Sequence, residues 1–170
     1  MYISASALQE SKLSRSELVT VSLEGWVNLY TDGSVKFGEI FVAAGGLLED
    51  RNGKWIEGFT RYLGSCEVID AELWGILDGI QIALKRGFQK IIIRTDSLEA
   101  IKLIQDGVCN GSNSALMRRI LLLLKLLSHW NLNYIPREEN RIADKIVKSR
   151  RDRELGLQLG DKDYVLSLNA

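Results

Sequence analysis

The run Ile91-Ile92-Ile93-Arg94-Thr95 limits the fold more than any other segment. Short β-branched runs of this kind are buried in parallel sheets, whose faces are covered by helices. Asp96-Ser97 follows at once and opens a helical pattern through Leu98, Ile101 and Ile104 to Gly107. A strand that feeds a helix directly points to the α/β class.

Upstream, Leu73, Leu77, Ile80 and Leu84 recur at helical spacing from Ile69, with Lys85 and Arg86 in the last turn and Gly87 suited to a left-handed end. Gly75, Gly79 and Ala83 make a second face small enough to let the helix backbone approach a sheet, and Glu72 lies on that face one turn earlier. Before this helix, Val27 to Asp32 alternates as a strand that Gly33-Ser34 breaks. Runs Ile40 to Leu48 and Lys54 to Tyr62 are joined through Asn52-Gly53, a hairpin signal because both positions tolerate positive φ. After Gly107 to Asn113, a loop, come a Leu-rich helix from Ser114 to Ser128, a strand from Trp130 to Ile135 ended by Pro136, and a basic helix from Asn140 to Arg151. The expected sheet is mixed and five-stranded, three strands antiparallel and two parallel, and helices flank it. Residues 1–24 read as an arm, 25–154 as the domain and 155–170 as a tail.

Composition narrows the chemistry. The 170 residues suit one domain, and 22 Lys plus Arg balance 22 Asp plus Glu. Two cysteines, Cys66 and Cys109, without paired spacing, and the single histidine, His129, argue against a closed zinc site, a disulfide framework or a His-based triad. No apolar run reaches the roughly 20 residues that cross a bilayer, which excludes a membrane span. No clear targeting signal selects among nucleus, cytosol and organelle, and the expected setting is intracellular.

Acidic residues fall at the strand and helix edges of this layout: Asp32 ends the first strand, Asp96 ends the fourth, and Glu72 sits early in the helix between them. A right-handed crossover sets the two strand ends side by side with Glu72 between them. Asp144 in the last helix adds a fourth carboxylate. Each has an ordinary reading taken alone: a turn residue for Asp32, an N-cap for Asp96, a solvated helix position for Glu72, and an i,i+4 partner of Lys148 for Asp144. Carboxylates this close repel unless cations neutralise them, so together they make sense as a divalent-metal site for phosphodiester hydrolysis.

Four blocks carry a resemblance: Leu29 to Ser34 (LYTDGS), Ala71 to Ile76 (AELWGI), Thr95 to Ala100 (TDSLEA) and Ile135 to Asp144 (IPREENRIAD). They resemble the signature blocks of ribonuclease H-like domains, most closely the plant domains related to reverse-transcriptase-associated ribonuclease H, over about Gly25 to Arg151. The resemblance implies Mg²⁺-dependent cleavage, with Mn²⁺ as a substitute, of the RNA strand in RNA–DNA hybrids. It implies that Asp32, Glu72, Asp96 and Asp144 hold two ions, and that Gly33, Ser34 and Ser97 meet substrate, with Tyr134, Arg137 and Asn140 as further contacts.

Two departures from the family pattern matter. Tyr134 stands ten residues before the last Asp, where the family commonly has a histidine, and a phenol titrating near pH 10 is a poor proton carrier at neutrality. The loop from Gly107 to Asn113 carries no Lys or Arg, so it offers no basic handle. Residues 137–153 hold seven basic residues against four acidic ones, a patch suited either to phosphates or to solvent. An active ribonuclease H leads; the alternatives are a binding or partner-recruiting module with weak or no catalysis, and a nuclease of the same fold with another substrate. Protein partners are not specified by the sequence.

Overall fold

A computed structural model describes residues 25–160, apart from 37 and 39, together with residue 163. The arm expected over residues 1–24 and most of the tail beyond 160 lie outside the described residues.

Three strands come first: β1 (Trp26–Lys36), β2 (Phe41–Asp50) and β3 (Trp55–Gly64). They pair antiparallel as a meander. The turn between β2 and β3 closes on Asp50, whose Oδ1 accepts from Asn52 N at 2.8 Å and Lys54 N at 2.9 Å. Only Gly53 there takes positive φ, 80°, so Asn52 serves as an acceptor-facing turn residue and not through left-handed backbone.

Helix α1 (Val68–Lys85) then crosses over to β4 (Lys90–Thr95). Gly87, with φ 85°, follows the helix as expected. Helix α2 (Leu98–Asn110) runs three residues past Gly107 and ends at Gly111. Gly107 stays helical because α3 (Ala115–Leu126) packs on it: a Cβ there would lie 3.1 Å from Met117 Cε. Strand β5 (His129–Tyr134) and helix α4 (Arg141–Ser149) follow, and β6 (Gly156–Gly160) closes the described chain.

The sheet order is β5-β4-β1-β2-β3-β6, with β1, β4 and β5 mutually parallel. Five strands are expected from the sequence, and six are present among the described residues. The additional strand, β6, extends the antiparallel side by pairing with β3, inside the segment set apart as a tail.

The main core fills the space between one sheet face and α1, α2 and α3. Leu29, Ile80, Ile91, Ile101 and Ile120 are fully buried there, and each such side chain contributes roughly 1.5–3 kcal/mol. Gly79 lets α1 settle onto β1, since a Cβ there would lie 2.4 Å from a Leu29 methyl. The other face is covered by α4 over β1, β2 and β3. Burial along β4 therefore alternates, leaving Ile92 and Arg94 half-buried, and corrects the expectation of a strand enclosed on both faces. The Leu-rich α3 buries Met117, Ile120 and Leu124 while Leu122 and Leu126 are exposed, so one face of the helix is core. No described helix is long and apolar enough to cross a membrane.

Candidate active site

The parallel pairing of β1 with β4 places Tyr30 opposite Arg94, so two residues later Asp32 and Asp96 emerge side by side. Strand β1 does not stop at Gly33-Ser34 but continues, paired with β2, to Lys36. Asp32 is thus a strand residue at the edge where β4 has ended, and not a turn residue. Glu72 is the fifth residue of α1, and the close seat of that helix carries it to the same point: a Cβ on Gly33 would lie 2.8 Å from Glu72 N.

One carboxylate oxygen each from Asp32, Glu72 and Asp96 lie within 4.8 Å of one another. Asp32 and Glu72 are each only 6% exposed, which replaces the solvated-helix reading of Glu72. Asp96 is not the cap of α2; Ser97 is, its hydroxyl accepting from Ala100 N at 3.1 Å. Asp144, the fourth residue of α4, lies near enough to raise the Asp32 carboxyl but is not part of the triad, and Lys148 holds its Oδ2 at 3.0 Å. The ordinary reading of Asp144 as an i,i+4 partner is therefore real alongside its place beside the site.

Electrostatics follow from this crowding. Burial, then Asp96 and Asp144, push the Asp32 carboxyl up to about 7. Burial, then Asp32 and Asp96, push Glu72 up to about 9. Asp96 is also raised by burial, opposed by the Asn140 side-chain amide and the charge of Arg137. The Gly33 backbone amide opposes the rises of both Asp32 and Glu72. Glu72 Oε2 is buried without a hydrogen-bond partner. A buried orphan oxygen beside two further carboxylates fits a hard divalent cation with oxygen ligands. Asp32, Glu72 and Asp96 would hold it.

The triad opens on a cleft of about 250 Å³ lined by Asp32, Gly33, Val68, Glu72, Asp96, Tyr134 and Arg137. Of the expected substrate contacts, Gly33, Tyr134 and Arg137 are at this cleft; Ser34, Ser97 and Asn140 are not among its lining residues. Sequence reasoning misses Val68; its place at the first turn of α1, four residues before Glu72, is the signal that could find it. His129 sits at the opposite end of β5 from Tyr134, with its ring 6.1 Å from Trp26, and has no part in the cleft. Much of the basic patch is structural. Arg150 is 2% exposed, Lys148 pairs with Asp144, and Arg153 lies over Phe41 and Tyr62.

Comparison with known proteins bears on the family and the fold. The family model described as reverse transcriptase-like matches residues 30–150, a span that includes all four carboxylates. The chain belongs to the reverse transcriptase-like family. An Arabidopsis thaliana protein named "Putative ribonuclease H protein" is 28% identical over 139 residues, 81% of this chain and 22% of its own length. The chain thus spans about a fifth of that relative.

Among solved structures, ribonuclease H1 of the archaeon Halobacterium salinarum superposes with a TM-score of 0.59 at 22% identity, over 70% of this chain and 92% of the other. The N-terminal ribonuclease H domain of a Mycobacterium tuberculosis protein gives 0.62 at 18%, over 85% and 99%. The LC11 ribonuclease H1, solved in complex with an RNA/DNA hybrid, gives 0.60 at 20%, over 72% and 94%. The fold of this reverse transcriptase-like domain is ribonuclease H-like.

Proposed function

We propose that this domain is a metal-dependent endonuclease that hydrolyses the RNA strand of RNA–DNA hybrids by a two-metal-ion carboxylate mechanism. The observation that carries the reading is the convergence of Asp32, Glu72 and Asp96 within 4.8 Å around a buried, unpartnered Glu72 oxygen. The name of the Arabidopsis relative and the hybrid bound to one structural neighbour support the substrate class.

Asp32, Glu72 and Asp96 would hold two Mg²⁺ ions, with Asp144 beside them as a further carboxylate. When bound, the cations would supply positive charge at the scissile phosphate and activation of the attacking water. The chain's own contribution is orientation: β1 and β4 fix two carboxylates by register, and α1 fixes the third by its close seat on Gly33. Arg137 lines the same cleft and would meet a phosphate oxygen there. The RNA strand would be read through its 2′-hydroxyls and the shape of the hybrid.

Tyr134 favours a second reading, a hybrid-binding module with weak turnover. It occupies the cleft and is 40% exposed, so a proton carrier at that point would reach solvent, and a phenol does not carry protons well near neutrality. An end-labelled hybrid incubated in Mg²⁺ and in Mn²⁺ tests both. The wild type should cut the RNA strand and Asp96→Asn should lose roughly 100-fold or more, the scale of single electrostatic contributions. Tyr134→His should raise turnover about 10-fold or more, within the range of general acid–base assistance. Hybrid left whole in both metals would remove the nuclease reading and favour the binding module.

A further inference from the structure

We propose that Asn140 is a positioning residue for the carboxylate site and not a contact to the substrate; the role toward a metal rests on the reading above. Asn140 occupies the N-cap position of α4, where an Asn side chain ordinarily accepts from the first turn of its own helix. Here it makes no such cap. The side chain is 1% exposed, and Nδ2 instead donates to the carbonyl of Thr31, at 2.9 Å and 109 residues away. The same side chain lies near enough to the Asp96 carboxylate to favour its charged form. Its backbone carbonyl accepts from Asp144 N at 3.1 Å.

One residue thereby joins the three elements that carry Asp32, Asp96 and Asp144. Thr31 precedes Asp32 in β1, Asp96 ends the β4 ladder, and Asp144 rides on the first turn of α4. An amide NH₂ has two donors, enough for a carbonyl and a carboxylate at once. The cost is visible in the same side chain: Asn140 Oδ1 is buried with no partner. A local capping rule given up and an acceptor left unpaired are the signs of a residue held for a site and not for the helix it begins. Fixing the spacing of β1, β4 and α4 fixes the spacing of the ligand oxygens, as residues behind a metal's direct ligands do.

Mn²⁺ affinity, followed by electron paramagnetic resonance of the free ion, and steady-state cleavage of a hybrid are compared for the full chain and for Asn140→Ala. Asn140→Asp, which keeps the volume but donates nothing when ionised, is measured alongside, in case Asn140→Ala does not fold by circular dichroism. Both variants should bind Mn²⁺ about 10-fold more weakly, a typical loss for residues supporting metal ligands. They should lower kcat by a similar factor with KM for hybrid within about 2-fold, the pattern of an interaction made only in the transition state. A raised KM with unchanged Mn²⁺ affinity would assign Asn140 to the substrate and overturn the proposal. If the wild type binds Mn²⁺ yet cuts no hybrid, the nuclease reading fails while the Mn²⁺ comparison still decides Asn140. A wild type that binds no Mn²⁺ overturns both.

Discussion

A methyl group added at Gly33 would lie 2.8 Å from both Ala71 Cβ and Glu72 N, with a rigid helix backbone on one side and a paired strand on the other. Neither can yield cheaply. Gly33→Ala should therefore lift the start of α1 from β1 and move Glu72 away from Asp32. Overpacking of this kind costs roughly 1–3 kcal/mol, read by urea unfolding. Displacement of a reacting group by about 1 Å costs on the order of 100-fold, so activity should fall further than stability. A variant that unfolds earlier but keeps full cleavage would show that Glu72 tolerates the shift. The convergence of Asp32, Glu72 and Asp96 is legible in the sequence because strand ends and helix spacing fix where a side chain emerges. The role of Asn140 is not, because a bond spanning 109 residues leaves no local pattern.

Strand β6 shows the same limit among elements. Gly156 to Gly160 is five residues long, and its tie to the sheet is a backbone ladder to β3 that no periodicity announces. The connection is organised by Arg150. Its buried guanidinium donates to Thr60 Oγ1 at 3.2 Å, to the carbonyls of Thr60, Asp152 and Glu154, and meets the Asp152 carboxylate at 3.1 Å. In the sequence Arg150 counts as one member of a surface patch; in the fold it clips the segment after α4 onto β3. The meander and the α1 crossover are legible because alternation and helical spacing are local. Removing the clip by Arg150→Ala leaves buried acceptors unpaired, at about 1–3 kcal/mol for each group that water cannot reach. The expected loss is roughly 2–4 kcal/mol, with hydrogen exchange of the Leu157 to Leu159 amides rising before that of β1 and β4. Equal protection of β6 in the variant would mean that the ladder alone holds the strand.

At the scale of the whole molecule, the carboxylate site works against the fold that carries it. Asp32 is raised to about 7 and Glu72 to about 9, while unfolded carboxyls titrate near 4. Across that interval the folded state binds more protons than the unfolded state, so stability declines as pH rises. The decline begins near pH 4, continues through 7 and is complete above about 9. In a chelator, the melting temperature should therefore fall from pH 5 to pH 9. A tenfold difference in proton affinity between the folded and unfolded chain corresponds to about 1.4 kcal/mol, and about 1 kcal/mol moves the midpoint of a domain this size by several degrees. Glu72→Gln removes the charge but keeps the shape, and should raise the chelator midpoint at pH 8 while abolishing cleavage. Divalent cations bind the folded site and should recover the same loss in the wild type, growing with the logarithm of their concentration over Kd. In Glu72→Gln they should recover much less. A chelator midpoint that is flat or rising across this range, or a Glu72→Gln variant less stable than the wild type at pH 8, would show that the three carboxylates are not held against burial and their mutual repulsion.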